Sequence, residues 1–312
     1  MNDLVSVIIT TYKRPEFLKR AIDSVLAQTY NNIELIVVDD NEPDGEFRRE
    51  TEKLIMTNFS NEERLHYVKM PSNSGSCPAR NKGVSLSKGK YINFLDDDDV
   101  FLPTKIEKQM RLFDSDTNEE LAVVGCFADI VNANGDVIGK EEIRFKGNAF
   151  FQEMCSNIAT TSLALIRKNV YIKSGGFETM YSSQEHWMFM KVFSVLSGYD
   201  YEPETLVKIY HHDGERISTN KKKPLGAIQL FEKSKVFLSR FKPSEISEIQ
   251  KSLNTNIIVS YVQSGDRINA LRYLFKRRKF SSLFSKQSTK LLLMSIIGWK
   301  YYSLLSSLST KK

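Results

Sequence analysis

The sequence predicts an α/β fold in which a mixed, mostly parallel sheet is flanked by helices and followed by a C-terminal helical appendage. Near-continuous apolar runs, typical of strands covered on both faces, alternate with helical patterns in the first half of the 312 residues. The turn signal NANG separates two later strand-like segments, so part of the sheet is antiparallel. From Lys221 onward the pattern is helical. We therefore expect two domains, residues 1–220 and residues 221–312.

The first half contains four predicted strands and three predicted helices. The first helix covers residues 15–28, because Pro15 suits a first helical turn and apolar residues recur at helical spacing after it. The loop PSNSGSC leads into a second helix from Pro78, and Pro103 is expected to open the third. The strands are LVSVIIT, IELIVVDD, LHYVKM and KYINFL.

Later elements are predicted from turn and periodicity signals. NANG joins LAVVGCFADIV and DVIGKEEIRF as a hairpin. TTSLALIRK and LVKIYHH are predicted strands, and QEHWMFMKVFSVL is a predicted amphipathic helix. The helical region should be interrupted at KKKPLG, at Lys242-Pro243 and at Ser264-Gly265.

Charge is divided unequally between the two predicted domains. Residues 221–312 hold 19 basic and 4 acidic residues, a net charge of +15, which leaves 25 basic and 34 acidic residues, or −9, for residues 1–220. No acidic residue follows Asp266, and basic residues there are mixed with leucines and aromatics. We expect this region to bind an anionic membrane surface without crossing it, since its apolar stretches are about half the roughly 20 residues that a span needs. The alternatives are a solvated helix face and packing within the protein or a homo-oligomer. No recognised nucleic-acid motif accompanies the charge.

The cysteines and the N-terminus favour a cytoplasmic location. Cys77, Cys126 and Cys155 are odd in number and form no CxxC pair. The apolar run near the N-terminus alternates like a strand and has no basic residue ahead of it, unlike a signal peptide. Membrane binding through the basic region would place the protein on the inner face of the cytoplasmic membrane.

Four consecutive aspartates follow the KYINFL strand: Asp96, Asp97, Asp98 and Asp99. Crowded carboxylates repel one another, so a cation is expected beside them. Mn²⁺ or Mg²⁺ would bind such oxygens and complete its coordination with substrate phosphates and water. Ligands of open α/β sheets bind outside the carboxyl ends of the strands, where Asp40 also falls. The alternative is an acidic N-cap region for the helix at Pro103.

Five segments, in this order, resemble the family 2 glycosyltransferases, inverting enzymes of the GT-A fold, and in particular those of bacterial polysaccharide synthesis. The resemblance covers roughly residues 4–220 and rests on VSVIITTYKRPEFLKRAIDSVLAQTY, IELIVVDD, PARNKG, YINFLDDDD and QEHWMF. It implies nucleotide-sugar contacts by Thr10, Tyr12, Asp40, Arg80, Asp96 and Asp97, and a metal ligand at Asp98. The chemistry agrees, since a carboxylate can accept the N3–H of uracil and a tyrosine offers a flat face. Ordinary packing for Tyr12 and surface pairing for Arg80 are the alternatives, and the aspartate register can slide by one residue.

The resemblance also implies a general base, an acceptor contact and a second metal or diphosphate contact. Glu185 occupies the position where the family usually carries an acidic residue, commonly Asp, and would deprotonate the acceptor hydroxyl. Trp187 beside it would line the acceptor site. His211 would touch the diphosphate or the metal, and RISTNKKKP would form a mobile lid. The alternatives are a solvated helix-start carboxylate, a core tryptophan and a surface histidine.

Together these features predict a hexosyl- or N-acetylhexosaminyltransferase that moves a sugar from a nucleotide-sugar, preferably a UDP-sugar, to a glycan or lipid-linked glycan. A catalytically silent nucleotide-binding scaffold is an alternative, although the carboxylates at positions 98 and 185 argue against it. A sugar-phosphate nucleotidyltransferase would need a Gly-rich phosphate loop after the first strand, and ITTYKRPEF lacks one.

Overall fold

The structure is a computed structural model that describes residues 2–211, 222–277 and 286–298. Those residues contain ten strands and eleven α-helices. The strands are β1 (Val5–Thr11), β2 (Ile33–Asp39), β3 (Leu65–Lys69), β4 (Tyr91–Asp96), β5 (Val100–Phe101), β6 (Leu121–Val131), β7 (Val137–Glu141), β8 (Gly147–Asn148), β9 (Leu165–Arg167) and β10 (Gly198–Tyr210). The helices are α1 (Pro15–Leu26), α2 (Glu46–Phe59), α3 (Ser76–Leu86), α4 (Lys105–Ser115), α5 (Phe150–Cys155), α6 (Lys168–Ser174), α7 (Gln184–Val195), α8 (Lys223–Ser234), α9 (Pro243–Gln263), α10 (Arg267–Arg277) and α11 (Lys286–Ile297).

All ten described strands join one mixed sheet. Its main path runs β3-β2-β1-β4-β9-β6-β10-β5, with β7 paired to β6 and β8 paired to β10. The β1, β2, β3 and β4 strands are parallel, as is the β6–β10 pair, whereas β5, β7, β8 and β9 pair antiparallel with their neighbours. The prediction of a mixed, mostly parallel sheet in the first half is therefore confirmed.

The central parallel strands form the core because both of their faces are covered. Every residue of β2 is buried, and α1 packs its stripe of Leu18, Ala21, Ile22 and Val25 against the sheet. Burial of such side chains contributes roughly 1.5–3 kcal/mol each. This rigid layer fixes the positions of the residues that follow β1, β2 and β4.

Most predicted elements are present, with shifted ends. The NANG hairpin joins β6 and β7, and the first helix begins at Pro15 as predicted. Two helix starts were predicted wrongly, since α3 begins at Ser76 and not at Pro78, and α4 begins at Lys105 and not at Pro103. Pro103 instead lies in a turn, and its carbonyl accepts a hydrogen bond from the backbone N–H of Thr29. The TTSLALIRK strand is shorter than predicted, because only β9 pairs with the sheet.

The chain divides into two compact units. The first comprises the described residues of 1–150, 158–179 and 188–213, and the second those of 151–157, 180–187 and 214–312. The second unit thus contains the predicted helical region together with two segments that precede residue 220.

The second unit contains a group of three packed helices, α9, α10 and α11. Their shared core consists of the buried side chains Ile258, Val262, Ala270, Leu274, Leu291 and Met294. The predicted interruptions after Lys242 and near Ser264-Gly265 are confirmed by the start of α9 and by its separation from α10. Among the helices of the described residues, none is both long and apolar enough to cross a bilayer. The predicted lid RISTNKKKP covers residues 216–224, of which 216–221 lie outside the described part of the chain.

Candidate functional site

Sheet register brings the ends of three parallel strands to one edge. Thr10 lies opposite Val38 on β2 and opposite Asp96 on β4, and Thr11 lies opposite Asp39. The segments that follow β1, β2 and β4 therefore leave the sheet side by side. Carboxyl ends of strands are where open α/β sheets bind ligands, so this edge is the candidate site.

Asp40 organises the loop in front of α3. Its carboxylate accepts hydrogen bonds from the backbone N–H groups of Ser74 (2.9 Å) and Gly75 (2.8 Å) and from the Asn73 amide (3.2 Å). Burial raises the pKa of Asp40 above its usual value, although the two backbone hydrogen bonds oppose this effect. Asp40 thus fixes residues 73–75, and its direct contact with the nucleotide base stays a prediction.

Gly75 enters this loop with φ 86°, in the left-handed region that favours glycine. A Cβ at this position would meet no atom within 4 Å, so the requirement is conformational and not steric. This backbone conformation directs the Gly75 N–H toward the Asp40 carboxylate, to which it donates a hydrogen bond.

A buried arginine of α2 binds the residues at the end of β2. Arg48 of α2 donates to the carbonyls of Asp39 (3.3 Å), Asn41 and Met70 (3.0 Å), and its Nε lies 3.2 Å from the Asp39 carboxylate. The Tyr67 hydroxyl donates to that carboxylate at 2.5 Å, and burial together with this hydrogen bond raises the pKa of Tyr67. Asp39 is therefore a structural anion, and Arg48 supplies the positive charge that it needs inside the protein.

The four aspartates alternate between inward and outward positions. The side chains of Asp96 and Asp98 remain 45% and 17% exposed, whereas Asp97 and Asp99 are each 5% exposed as residues. The Thr11 hydroxyl donates to Asp97 at 2.8 Å, while the Ser162 hydroxyl and the Tyr210 backbone N–H both donate to Asp99 at 3.1 Å. The inward pair thus fastens the turn to β1 and β10, and the outward pair stays partly exposed at the sheet edge.

The pKa values of the two inward aspartates are raised. Burial, reinforced by the charge of Asp98, raises the pKa of Asp97 to about 7. Burial and the charge of Asp96 raise the pKa of Asp99 well above its usual value. Hydrogen bonds hold Asp97 and Asp99 inside this turn. The ribose contact of Asp97 stays a prediction, and the burial of its carboxylate does not favour that contact.

Two arginines meet the outward aspartates. Arg14 Nη1 donates to Asp98 Oδ2 at 2.7 Å and lies 3.5 Å from Asp97 Oδ1. Arg80 Nη2 donates to Asp96 Oδ1 at 2.6 Å, and its guanidinium lies 5.1 Å from the centre of the Phe177 ring. Arg80 therefore lies at the predicted site, paired with an aspartate of that site, as the surface-pairing alternative also allows.

Tyr12 is exposed at this edge, so packing does not occupy its ring fully. The Lys13 ammonium lies 5.0 Å from the ring centre. Lys13 has φ 59°, which is uncommon for a residue other than glycine, and its backbone N–H donates to Asn41 at 2.7 Å. Strained backbone of this kind clusters at functional sites, and here it turns the chain sharply between β1 and α1.

His211 follows β10 directly and is exposed. Its backbone N–H donates to Val131, and the preceding Tyr210 bonds Asp99, so the strand end is anchored to the aspartate turn. The metal or diphosphate contact predicted for His211 remains untested. The neighbouring position 212 lies outside the described residues.

Glu185 and Trp187 belong to the second unit. Glu185 lies in the first turn of α7, where the Asn157 amide donates to its Oε1 at 3.3 Å. Trp187 is buried, and its ring lies 5.6 Å from that of Phe237. This placement favours the packing alternative for Trp187 over sugar stacking, because a covered ring offers little face to an acceptor.

Sequence reasoning identified Arg80 but missed three other arginines at the sheet edge. Arg14 directly follows Tyr12 and Lys13, and the charge of the aspartate run could have singled it out as a partner. Arg48 had no such signal, because its contacts, the Asp39 carboxylate and the carbonyls of Asp39, Asn41 and Met70, are brought together only by the fold. Arg20 was also missed; it donates to the Asp98 carbonyl at 2.8 Å and stacks 3.5 Å from the Tyr210 ring centre.

Comparison with known proteins agrees with this architecture. The model of the family described as Glycosyl transferase family 2 matches residues 6–175. An uncharacterised glycosyltransferase of Rickettsia prowazekii is 32% identical over 225 residues, which make up 70% of this chain and 67% of that protein. A putative teichuronic acid biosynthesis glycosyltransferase of Bacillus subtilis is 37% identical over 108 residues, 35% of this chain and 41% of that protein.

Solved structures share the fold at low sequence identity. TarS 1-349 of S. aureus, in complex with UDP-GlcNAc, matches 93% of this chain and 91% of its own, with a TM-score of 0.59 and 14% identity. This chain spans only 55% of a longer TarS structure, with a TM-score of 0.64. The mannosyltransferase PcManGT of Pyrobaculum calidifontis, in complex with GDP-Man and Mn²⁺, matches 99% of this chain and 88% of its own, with a TM-score of 0.59 and 16% identity. The chain therefore belongs to glycosyltransferase family 2 and is a glycosyltransferase with the GT-A fold.

Proposed function

We propose that the protein transfers a sugar from a nucleotide-sugar, preferably a UDP-sugar, to a hydroxyl of a glycan or lipid-linked glycan, with inversion at the anomeric carbon. The observation that carries this proposal is the outward pair Asp96 and Asp98, which lies at the same sheet edge as Tyr12 and the Asp40 loop. Such an edge offers an aromatic face, hydrogen-bond acceptors and carboxylates within one site.

Donor binding is assigned to the first unit. Tyr12 presents an exposed ring on which a base can stack, and Asp40 shapes the adjacent loop. Arg80 is placed to exchange its bond with Asp96 for one with a phosphate or base carbonyl oxygen. UDP-GlcNAc in TarS and GDP-Man in PcManGT are consistent with a nucleotide-sugar donor, and the uracil preference rests on the chemistry of a carboxylate near the base.

The site suits a divalent cation held jointly with a diphosphate. Asp98 supplies an outward carboxylate oxygen, a hard ligand, and Asp96 and His211 are further candidates. In the described part of the chain, no three His, Cys, Asp or Glu side chains converge as a complete site, so phosphates and water would supply the remaining ligands. A bound cation would neutralise the charge of the departing diphosphate. Arg14 holds Asp98 in place and would have to share or release that carboxylate.

Glu185 is assigned as the general base. An acceptor hydroxyl is a weak nucleophile, so a carboxylate must take its proton as the oxygen attacks the anomeric carbon. The Asn157 amide donates to Oε1 of Glu185 at 3.3 Å and so helps to orient this carboxylate. This assignment rests on the chemistry of Glu185 and on its place in the order of family motifs. Attack from the face opposite the diphosphate makes the product inverted.

The first test compares Asp98→Asn with Asp44→Asn, a surface aspartate outside the site. Donor hydrolysis and transfer in the presence of Mn²⁺ should fall by about 10²–10³-fold for Asp98→Asn, because the carboxylate that faces the diphosphate is lost. Asp44→Asn should behave as wild type. Undiminished turnover of Asp98→Asn, or no turnover of the wild type with any nucleotide-sugar, would reject the proposal and favour a silent scaffold.

The second test concerns Glu185. Glu185→Gln should keep the wild-type affinity for the donor, measured by calorimetry with UDP-sugars, but lose transfer by about 10²–10⁴-fold, since an amide cannot accept the proton. A thermal-shift panel of UDP-, GDP- and CDP-sugars would identify the donor, because a bound ligand stabilises the folded state. Near-normal transfer by Glu185→Gln would remove this residue from the mechanism.

A further inference from the structure

The α10 and α11 helices have two faces, and only one is explained by the fold. Their inner faces meet α9 through buried side chains such as Ala270, Leu274 and Met294. Their outer faces nevertheless carry large apolar side chains that are 37% to 68% exposed: Ile268, Phe275, Leu292, Leu293 and Ile296. Five of the sixteen exposed large hydrophobic residues of the described chain thus fall on these two short helices. Scattered apolar residues are ordinary on a surface, whereas a cluster calls for a partner.

Helical spacing places the exposed apolar residues in stripes with basic residues. On α10, Ile268, Arg272 and Phe275 follow one another at intervals of four and three residues, with Lys276 beside them. On α11, Leu292 and Leu293 lie one turn before Ile296. Each helix therefore has an exposed side that carries large apolar side chains.

Arg267 fixes how the two helices are joined. Its guanidinium donates to the carbonyls of Ile296 (3.1 Å) and Ile297 (3.5 Å), so the start of α10 contacts the end of α11 and the pair is antiparallel. A cation at a helix C-terminus is favourable because the last carbonyls have no partner within the helix. Ile268 and Ile296 are consequently brought to the same end of the pair.

The charged residues of α10 and α11 are all basic. Residues 267–312 contain 11 Lys and Arg and no Asp or Glu. Two copies meeting through such a region would bring like charges together, which disfavours self-association as the explanation of the apolar residues. Basic side chains mixed with exposed Leu, Ile and Phe are the composition of a surface that enters the headgroup region of an anionic bilayer.

We propose that α10 and α11 form a docking surface for an anionic lipid bilayer, with Ile268, Phe275, Leu293 and Ile296 inserted among the headgroups and the basic residues against lipid phosphates. The helices lie on the membrane and do not span it, in agreement with their length. Such docking would hold the transferase beside a lipid-linked acceptor, but it does not depend on the identity of the donor or the base.

The test is co-sedimentation of the full chain with phosphatidylcholine vesicles and with vesicles of phosphatidylcholine and phosphatidylglycerol in equal parts. Binding to the anionic vesicles should be at least tenfold tighter and should largely disappear at 1 M salt, where the Debye length is about 3 Å. The double variant Leu293→Ser/Ile296→Ser should weaken vesicle binding at least tenfold. Its control, Ile138→Ser/Val236→Ser, removes two equally exposed apolar residues from other elements and should bind as wild type.

A charge pair separates electrostatic from apolar contributions. Arg272→Glu/Lys276→Glu should abolish the preference for phosphatidylglycerol, whereas Lys53→Glu/Lys82→Glu, on α2 and α3, should keep most of it. Circular dichroism and donor binding of all variants should match the wild type, because the substituted side chains are outside the core. Equal binding to neutral vesicles, no vesicle binding, or equal losses in both members of a matched pair would overturn the proposal. So would tighter binding to RNA than to vesicles, or a dimer in light scattering that Leu293→Ser/Ile296→Ser dissolves.

Discussion

At the sheet edge, each buried charged side chain has a specific hydrogen-bond or ion-pair partner from another part of the chain. Arg48 meets Asp39, Thr11 meets Asp97, and Ser162 meets Asp99. In the helix group α9 to α11, by contrast, a core of aliphatic side chains holds the helices together, and α10 and α11 carry no acidic residue. The first region is specified by directional contacts, where each loss leaves a partner unsatisfied, and the second by buried area, where loss scales with volume. The four predictions below separate these two kinds of stability.

The largest effect on folding is expected at Arg48. Arg48→Met should lower the free energy of unfolding by about 3–5 kcal/mol, because the buried Asp39 carboxylate would lose the positive charge beside it and three carbonyls would each lose a donor. Arg49→Met, one residue along the same helix but exposed, should change it by less than about 0.5 kcal/mol. Urea unfolding measures both. A cost at Arg48 as small as that at Arg49 would show that the sheet edge does not depend on its buried charge.

Within the helix group, the contrast lies between two adjacent residues of α10. Leu274 is 2% exposed and Phe275 is 54% exposed. Leu274→Ala should cost about 2–5 kcal/mol through lost burial and the cavity it leaves, whereas Phe275→Ala should stay within about 0.5 kcal/mol. Thermal and urea unfolding of the full chain would test the pair. The opposite ranking would mean that the outer face of α10 is part of a core.

The pH dependence of the free energy of unfolding should report on Lys105, a buried charged residue of the first unit. Lys105 is fully buried, its ammonium donates to Gln109 at 2.8 Å, and burial lowers its pKa to about 8, with the Cys126 thiol nearby. The unfolded chain, with an ordinary lysine pKa near 10.4, therefore holds more protons between about pH 8 and pH 10. Burial of the amine costs most below pH 8, so the contribution of Lys105 to the free energy of unfolding should rise with pH across this window.

Lys105→Met should remove that rise. The difference in unfolding free energy between wild type and Lys105→Met should change by about 3 kcal/mol at most from pH 7.5 to above pH 10, as urea unfolding at several pH values would measure. Lys108→Met, at a partly exposed position of the same helix, should leave the slope unchanged. Parallel pH profiles of wild type and Lys105→Met would show that the buried amine does not titrate in this range.

The smallest effect is expected at Gly75. Gly75→Ala should cost about 1–2 kcal/mol, because φ 86° is strained for alanine although no atom blocks its Cβ. Donor affinity should fall as well, since the Gly75 N–H that bonds Asp40 would be displaced. Gly135→Ala, also at positive φ with open space but in the β6–β7 turn, should cost a similar amount of stability without any loss of donor binding. Equal donor affinity in Gly75→Ala and Gly135→Ala would show that the Gly75 loop does not contribute to donor binding.

The sequence was informative where burial is continuous. The β1, β2 and β4 strands were predictable because parallel strands covered on both faces show unbroken apolar runs. The α2 helix left no comparable signal, because its buried face includes Arg48 and Thr51 among apolar residues. Helix starts at prolines were only partly right, since proline is tolerated in a first turn but also in the turn that precedes one.

The candidate site divides in the same way. The aspartate run and Tyr12 could be identified from residue type and order, and both lie at the predicted edge. Which aspartates face outward could not be identified, because that depends on the partners Thr11, Ser162 and Tyr210, which lie far apart in the sequence. The packing of Trp187 against Phe237 was equally hidden, since the partner follows fifty residues later.

The alternation along the aspartate run makes the turn sensitive to the number of its residues more than to their kind. Deleting any one of the four identical acids would leave the same sequence, DDD, whichever was removed, yet it would move an outward position inward or an anchoring position outward. The length of the aspartate run therefore determines which side chains are buried. Deletion of one of its codons should be as damaging as a missense change at Asp98.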